Sequence, residues 1–265
     1  LRSDSPPPPS STSVSFERRE AEVRTRIAKH LSGRVRPLAA TTPHENVTPA
    51  GKTTLFWRDG KKFVYCHGLM NADMPNLYVI SGCNGAGKTT ASYALLPEML
   101  KCSQFVNSDE FAKSLSPFSP DTASIQASKL MLLKITYLFK RHEDFAIETT
   151  LATRSLKKMI SKAQKEGYSI TLLYFGLNSP DLAVARVKAR VAAGGHNIPE
   201  DTIRRRYFAG LQYFFNVYTS LVDRWILADN SEIPFKVVAE GTKDALFVKD
   251  SATYEKIKSL SENDD

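Results

Sequence analysis

One stretch of the sequence has the residue types and spacing of a phosphate-binding loop. Residues 82–89 read Gly-Cys-Asn-Gly-Ala-Gly-Lys-Thr, which matches G-x-x-x-x-G-K-[ST] in full. The glycines allow backbone N–H groups to turn inward toward phosphate oxygens. Lys88 is predicted to reach the β- and γ-phosphates of ATP, and the Thr89 hydroxyl is predicted to ligate Mg²⁺. The residues predicted to hold the nucleotide are Gly82, Asn84, Gly85, Ala86, Gly87, Lys88, Thr89 and Thr90.

A carboxylate follows the next predicted strand. Asp109 comes shortly after the strand Gln104–Asn107, and the carboxyl ends of parallel strands face the ligand crevice. This position predicts that Asp109 lies near the γ-phosphate, where it could accept the proton of an attacking hydroxyl or hold Mg²⁺ through water. The alternative is that Asp109 or Ser108 caps the helix that follows.

Further polar residues end the later strands at the same edge of the predicted sheet. The strand Phe145–Ile147 leads into Glu148, Thr149 and Thr150. A carboxylate with hydroxyl neighbours suits hydrogen bonds to a sugar or a phosphate, whereas Thr149 or Thr150 could instead cap a helix. Residues 229–231, Asp-Asn-Ser, follow another strand and are either an adenine contact or an ordinary turn.

Cations lie on both sides of a Gly-Gly pair. Residues 186–190 contain Arg186, Lys188 and Arg190, Gly194-Gly195-His196 follows, and residues 204–206 are three arginines. This arrangement is typical of a kinase lid, whose arginines swing onto the transferring phosphoryl group. Consecutive arginines point in different directions on a helix, so one or two can face the site. A pair of solvated helices is the alternative, with His196 a lid contact or a surface residue.

The elements that must position these residues alternate between strand and helix from Asn76 onward. Such alternation predicts an α/β fold of the P-loop NTPase type, a parallel sheet flanked by helices. The predicted strands are Leu77–Ser81, Gln104–Asn107, Phe145–Ile147, Ser169–Gly176, Trp225–Ala228 and Phe235–Ala239. The predicted helices are Thr89–Leu100, Pro120–His142, Leu156–Glu166, Pro180–Ala193, Glu200–Val222 and Ser251–Leu260.

The first 73 residues differ in character from the rest. Residues 1–15 are rich in Ser and Pro and predict a disordered arm. Residues 16–73 predict a small extension with an amphipathic helix over Phe16–Leu31 and a β-hairpin around Asp59-Gly60. We therefore expect residues 74–265 to form the P-loop domain, with a boundary near residue 73.

Composition narrows the classes of protein. The 265 residues are 42% hydrophobic, which suits a globular core, and no apolar run reaches the length of a membrane span. The three cysteines have no metal-binding spacing and favour a reducing, cytoplasmic setting. The net charge of +8 comes from cations spread along the chain. Such a balance is compatible with a nucleic acid, an acidic partner or a phosphorylated substrate, or with a solvated basic surface, so charge does not decide the function. The expected partner is a small-molecule substrate, and neither a nucleic acid nor a membrane is expected.

From Pro75 to about Glu240 the chain resembles the zeta-toxin family of P-loop kinases, in its short, compact branch. The residues that carry the resemblance are the phosphate loop with the strand before it, Phe105–Glu110, Ala146–Leu151, Gly194–Pro199 and Arg204–Tyr207. This set is more specific than a lone phosphate loop.

The resemblance implies a kinase that uses ATP and Mg²⁺ to phosphorylate a sugar hydroxyl of UDP-N-acetylglucosamine. It implies Lys88 and Asp109 as the P-loop lysine and catalytic base, and Glu148 and Thr150 as contacts to the sugar nucleotide. The family also uses two lid arginines, for which Arg190, Arg204 and Arg205 are the candidates here, and His196 lies where a lid arginine is expected. The resemblance also implies a protein antitoxin as partner, a part that the Phe16–Leu31 segment could play in cis. The favoured alternative is that the N-terminal segment packs on the core or extends the sheet with its hairpin.

Two other functions fit the same residues. The first is a P-loop kinase of another acceptor: a nucleoside, a polynucleotide end or an antibiotic hydroxyl. The second is a nucleotide-dependent binding module whose basic N-terminal part contacts nucleic acid or a protein. The predicted base and paired lid arginines favour a kinase.

Overall fold

A computed structural model of the chain describes residues 53–58, 61–66, 74–98, 100–116 and 120–262. Its strands are β1 (Thr53–Arg58), β2 (Lys61–Cys66), β3 (Asn76–Ser81), β4 (Phe105–Val106), β5 (Phe145–Thr149), β6 (Ser169–Gly176), β7 (Arg224–Asp229), β8 (Lys236–Gly241) and β9 (Leu246–Val248). Its α-helices are α1 (Lys88–Glu98), α2 (Ser108–Leu115), α3 (Ser124–Arg141), α4 (Leu156–Lys165), α5 (Pro180–Ala192), α6 (Glu200–Tyr213) and α7 (Ser251–Leu260). None of these helices is both long and apolar enough to cross a bilayer.

The chain divides into two units, one of them Gly33–Met74 and the other containing Pro75–Asp265. In the first unit, β1 and β2 pair antiparallel with Thr53 opposite Cys66 and Arg58 opposite Lys61. These strands are the two runs that the hairpin prediction placed around Asp59-Gly60. The predicted arm of residues 1–15 and the predicted helix Phe16–Leu31 lie outside the described residues, so the domain boundaries stay a prediction.

The second unit is built on a sheet with strand order β4-β5-β3-β6-β7-β8-β9. The strands from β4 to β7 run parallel, whereas β8 and β9 are antiparallel additions at one edge. Central β3 is covered on both sides, and Leu77, Val79 and Ile80 are fully buried. The predicted α/β fold with flanking helices is confirmed. The antiparallel edge and β9 were not predicted.

Register within this sheet determines which residues meet at its carboxyl edge. In β3, Ile80 is opposite Glu148 of β5, and Ser81 is opposite Thr149. On the other side of β5, Val106 of β4 is opposite Ile147. The residues that follow, Asn107 on one strand and Glu148 on the next, therefore emerge side by side beside the loop that follows β3.

The flanking helices bury one face each. In α4 the buried residues Leu156, Ile160 and Ala163 recur at helical spacing, while its lysines face outward. The long helix predicted over Pro120–His142 begins with a 3₁₀ turn, Pro120–Ala123, before α3. The helix predicted over Glu200–Val222 changes to a π-helical turn at Phe214–Tyr218.

Helix α3 departs from its apolar pattern. Its carboxyl half packs into the core through Ile135, Leu138 and Phe139. Nearer its amino end several large apolar side chains are open to solvent, since Ile125 and Leu133 are 71% and 65% exposed and Leu130 is 39% exposed. A helical apolar pattern therefore does not mean burial along the whole of α3.

Candidate nucleotide-binding and phosphotransfer site

The loop between β3 and α1 has the backbone shape that its glycines predict. Gly82, Gly85 and Gly87 adopt φ values of +140°, +80° and +79°, which residues with a side chain rarely adopt. At Gly82 a Cβ would lie 2.3 Å from the Phe175 carbonyl oxygen, so the loop also requires glycine for space. The loop closes on itself through Ala86 N–H, which donates to the Cys83 carbonyl at 3.2 Å.

The other loop residues are held tightly. Cys83 is 1% exposed, and burial raises the pKa of its thiol to about 11, so it stays protonated near neutral pH. Asn84 is also buried, whereas Thr90 is exposed on the first turn of α1. All eight residues predicted to hold the nucleotide therefore lie on one loop and the start of one helix. Their contact with nucleotide stays a prediction.

Lys88, the first residue of α1, lies over the loop. It is 7% exposed, and its Nζ donates a hydrogen bond to the Cys83 carbonyl at 3.0 Å. The same ammonium is 3.7 Å from Oε1 of Glu148. A positive charge held between the loop and a carboxylate is suited to binding phosphate oxygens.

Glu148 is the centre of the polar network at this edge. Its Oε2 accepts hydrogen bonds from the Thr89 hydroxyl at 2.9 Å and from Nδ2 of Asn107 at 2.7 Å. Burial raises the pKa of this carboxyl. The positive charge of Lys88 and the two hydrogen bonds oppose that rise, and the charge of Asp109 adds to it. A largely buried carboxylate, 13% exposed, is thus held among a lysine, a hydroxyl and an amide.

Asp109 lies on the first turn of α2, so the position of that helix determines where its carboxylate lies. Asn107 is the N-cap of α2, and its Oδ1 accepts from Asp109 N–H at 2.8 Å. The alternative that Asp109 or Ser108 caps this helix is therefore wrong. The Asp109 side chain is exposed, and its charge acts on Glu148, so the two carboxylates share one edge of the sheet. Asn107, which the sequence analysis did not single out, connects them.

The residues after Glu148 form a tight turn. The Thr149 hydroxyl accepts from Leu151 N–H at 3.1 Å, and Leu151 has a left-handed φ of +60°. The N-cap of α4 is Ser155, so the alternative that Thr149 or Thr150 caps a helix is wrong. Thr150 is half-buried on this turn. Its predicted contact to a sugar nucleotide stays a prediction.

The structure sorts the predicted lid arginines by what each contacts. Arg190 donates to the His196 carbonyl at 3.0 Å, within the turn that follows α5. Arg204 pairs with Asp181 at 2.6 Å and with Glu200 at 2.8 Å on the exposed side of α5 and α6. Neither contact involves the phosphate loop.

Arg206 is the member of the arginine triplet that reaches the phosphate loop. Its NH1 donates to Oδ1 of Asn84 at 3.2 Å, whereas Arg205 is exposed. Arg206 lies two positions after Arg204, which turns the side chain about 200° around the helix axis, from the exposed surface to a place where the guanidinium could meet a bound phosphate. The expectation that consecutive arginines point in different directions thus agrees with the structure. Arg206, which contacts the loop, was not among the predicted lid arginines.

The oxygen atoms near the phosphate loop also fit a hard divalent cation. The Thr89 hydroxyl and the Glu148 carboxylate are in contact, and Mg²⁺ prefers such oxygen ligands together with phosphate and water. Within the described part of the chain there is no cluster of three or more His, Cys, Asp or Glu side chains suited to a metal. A magnesium site here would thus be completed by nucleotide and water.

Comparisons with known proteins agree with this geometry. The family model described as Zeta toxin matches residues 66–233. An uncharacterized protein of Haemophilus influenzae is 32% identical over 126 residues, which are 48% of this chain and 88% of that protein. The range that the family model matches contains the phosphate loop, Asp109, Glu148 and the arginine triplet.

Solved structures share the fold. A chain from the PezAT toxin-antitoxin system of Streptococcus pneumoniae superposes with a TM-score of 0.54 at 15% identity, covering 93% of this chain and 88% of that one. A chain of the AvrRxo1-ORF1:AvrRxo1-ORF2 complex gives a TM-score of 0.57 at 18% identity over 71% of this chain, and the match spans 64% of that longer chain. Because the Zeta toxin model matches well over half of the sequence, the protein belongs to the zeta toxin family.

Proposed function

We propose that this protein is an ATP-dependent kinase that transfers the γ-phosphoryl group to a hydroxyl of a UDP-sugar such as UDP-N-acetylglucosamine. The observation that carries the proposal is the network at the carboxyl edge of the sheet. There Glu148 joins Thr89 and Lys88 of the phosphate loop to Asn107, and Asp109 lies on the first turn of α2, which Asn107 caps. Membership in the zeta toxin family supports a kinase-type reaction.

ATP as the phosphoryl donor is supported by the loop and by a related fold. One AvrRxo1-ORF1:-ORF2 structure contains ATP, and a chain of it superposes with a TM-score of 0.57 at 19% identity. In this protein Lys88 would exchange its bond to the Cys83 carbonyl for phosphate oxygens. Thr89 would hold Mg²⁺, which supplies positive charge to the β- and γ-phosphates when bound, and Glu148 would orient the Thr89 hydroxyl that it accepts from.

The proposed chemical step is a direct displacement. The acceptor oxygen forms a bond to the γ-phosphorus while the bond from that phosphorus to the β–γ bridging oxygen breaks, and ADP leaves. The proton of the acceptor hydroxyl passes to the Asp109 carboxylate, which is exposed at the edge of the site. Asn107 positions Asp109, because it caps the helix on whose first turn that carboxylate lies.

Lid closure would bring arginine charge onto the transferring phosphoryl group. Arg206 is the leading candidate because it already contacts Asn84 of the loop. Arg190 and Arg204 remain proposed for the closed state. The ion pairs of Arg204 are solvent-exposed, and exposed pairs stabilise a conformation weakly, so a bound triphosphate could compete for this guanidinium.

The proposals for the acceptor and for the inhibitory partner are based on membership in the zeta toxin family. Thr150 and the Oε1 side of Glu148 are proposed to contact the sugar nucleotide, since Oε2 of Glu148 already accepts two hydrogen bonds. The PezAT structure is that of a toxin-antitoxin system. We therefore propose a protein antitoxin, or the N-terminal segment of this chain acting in cis, as the inhibitory partner. We also propose a cytoplasmic location, which is consistent with such an acceptor.

The decisive experiment is mass spectrometry of UDP-N-acetylglucosamine after incubation with ATP, Mg²⁺ and the full chain. A product heavier by one phosphoryl group is expected, with ADP formed in equal amount. Lys88→Ala should abolish transfer. Asp109→Asn should abolish transfer while nucleotide binding persists, and Asp201→Asn, on the exposed first turn of α6, is the matched control.

Each other outcome excludes a specific part of the proposal. ATP turnover with a different hydroxyl acceptor, and none with UDP-sugars, would remove the sugar nucleotide. ATP binding without any phosphorylated product, together with salt-sensitive binding of nucleic acid, would replace the kinase with a binding module. Unchanged turnover in Asp109→Asn would remove Asp109 as the base.

A further inference from the structure

The loop between β7 and β8 touches the phosphate loop at one point. Asn230 donates from Nδ2 to the Ala86 carbonyl at 2.7 Å. The same amide nitrogen would clash with any side chain at Gly87, because a Cβ at that position would lie 2.5 Å from Nδ2 of Asn230. Gly87 is therefore needed both for its positive φ and to admit the Asn230 amide.

Asn230 is itself held in place from two directions. Its backbone N–H donates to the Gly176 carbonyl at 2.9 Å, at the end of β6. Arg186 of α5 donates from NH1 to the Asn230 carbonyl at 2.8 Å and from NH2 to the Ser231 carbonyl at 2.9 Å. A guanidinium that bridges two successive carbonyls fixes both the position and the direction of this loop.

The network continues below the loop. Ser231 Oγ accepts from Asn178 N–H at 2.8 Å, and Asp229 Oδ1 accepts from Ser231 N–H at 2.9 Å. The loop thus has little freedom to move apart from the sheet. A rigid amide donor that meets the Ala86 carbonyl will hold the peptide between Ala86 and Gly87 in one orientation. That peptide carries the Gly87 N–H, one of the donors that a phosphate would meet.

We infer that Asn230 is a positioning residue for nucleotide binding, and that Arg186 acts through it. Together the two residues form a clamp that holds the phosphate loop in its anion-binding shape before nucleotide arrives. The inference rests on the proposed function, because it concerns the same nucleotide site. The sequence offered two interpretations of residues 229–231, an adenine contact or an ordinary turn. The proposed role is a third, in which Asn230 holds the phosphate loop in place.

The test compares a ligand that has a base with one that lacks it. ADP and inorganic tripolyphosphate would both bind through the phosphate loop, and only ADP has an adenine. Asn230→Ala should weaken both ligands by the same factor, about fivefold for one lost neutral hydrogen bond. The KM for ATP should rise by a similar factor while the KM for the acceptor stays unchanged. The matched control is Glu232→Gln, exposed on the same loop.

Hydrogen exchange separates positioning from general stability. In Asn230→Ala the amides of residues 82–89 should exchange faster without nucleotide, while the thermal midpoint of the free protein changes little. A lower thermal midpoint with unchanged affinity for tripolyphosphate would mean that Asn230 is only structural. Weaker ADP with unchanged tripolyphosphate would mean that Asn230 contacts the base. Either result overturns the inference.

A double-mutant cycle tests the role of Arg186. If Arg186 acts through Asn230, the Arg186→Ala, Asn230→Ala double variant loses no more affinity than the weaker-binding single variant. Losses that multiply would show that Arg186 acts independently of Asn230. Should the wild-type chain bind neither ADP nor tripolyphosphate, the proposed function fails and this inference fails with it. A wild type that binds both, with Asn230→Ala equal to it, refutes the clamp alone.

Discussion

Replacing Glu148 by glutamine should make the protein more stable and less active at the same time. The substitution keeps the size of the side chain and removes its negative charge. A glutamine carbonyl oxygen can take the place of Oε2 and still accept from Thr89 and Asn107, which are 2.9 and 2.7 Å away. Its NH₂ group then faces Lys88, which loses the carboxylate oxygen now 3.7 Å from it.

The loss of activity follows from these contacts. A hydrogen bond to a charged acceptor contributes about 1 kcal/mol more than the same bond to a neutral one. Two such bonds weaken here, so the ordering of Thr89 and Asn107 loses about 2 kcal/mol. If that ordering is needed in the transition state, kcat/KM falls about 30-fold. The fall is larger if the carboxylate also holds Mg²⁺.

The gain in stability follows from the direction of the pKa shift. Burial raises the pKa of Glu148 in the folded protein by more than Lys88 and the two hydrogen bonds lower it, so the removal of the buried charge outweighs the weakening of those contacts. The folded state therefore holds this proton more tightly than the unfolded state does. The contribution of this carboxyl to stability is therefore complete below its unfolded pKa of about 4.3, and it is lost as pH rises through the folded pKa. Glutamine removes that loss.

The assay is a pair of measurements on one variant. Thermal unfolding without nucleotide, followed from pH 4 to pH 8, should show a midpoint higher in Glu148→Gln than in wild type at pH 7. The difference should shrink toward pH 4. Phosphotransfer at pH 7 should fall as stated. Glu255→Gln, exposed on α7, is the control and should change neither quantity. A variant less stable than wild type at pH 7 would refute the argument that burial dominates at Glu148.

Three further substitutions test the loop, the lid and the sheet edge. Gly82→Ala should lower the free energy of unfolding by about 2 to 4 kcal/mol, measured by denaturant titration, because its Cβ would lie 2.3 Å from the Phe175 carbonyl oxygen. Arg206→Ala should reduce kcat/KM for ATP more than Arg204→Ala does, since only Arg206 contacts the loop, and the reverse order would restore Arg204 as the lid residue. Glu240→Gln should lower the thermal midpoint at pH 7, and the difference from wild type should shrink as the pH falls below the unfolded pKa of about 4.3. Burial alone would raise the pKa of Glu240, but Lys249 and Arg224 outweigh it and lower that pKa, so its stabilisation is present above the unfolded pKa and lost as pH falls through the folded one.

The parts of the site that sequence predicted are those determined by local chain geometry. The phosphate loop depends on glycines at fixed spacing between a strand and a helix, all within residues 77–98. The positions of Asp109 and Glu148 follow from the rule that parallel strands end at one edge. Each of these predictions needs only the local order of elements, and the structure brings the three features together.

Other features depended on contacts between distant segments. Asn107 and Asn230 were not assigned their present contacts, because an asparagine before a helix or in a turn looks ordinary until its partner is known. Glu148 was expected to face a sugar nucleotide, and its contact with Thr89 spans 59 positions in the chain. No local signal in the sequence marks such a pair.

The amino-acid sequence by itself determined that this protein has a phosphate loop, a parallel α/β core and carboxylates at one edge, because these follow from residue types and from periods of two and 3.6. Tertiary packing alone decided which arginine of residues 204–206 meets the loop, and that much of α3 stays exposed. Neighbouring helical residues point about 100° apart, so the rotation of α6 against the sheet selects Arg206. That rotation is set by the side chains packed beneath the helix, including Ile203, Tyr207 and Leu211.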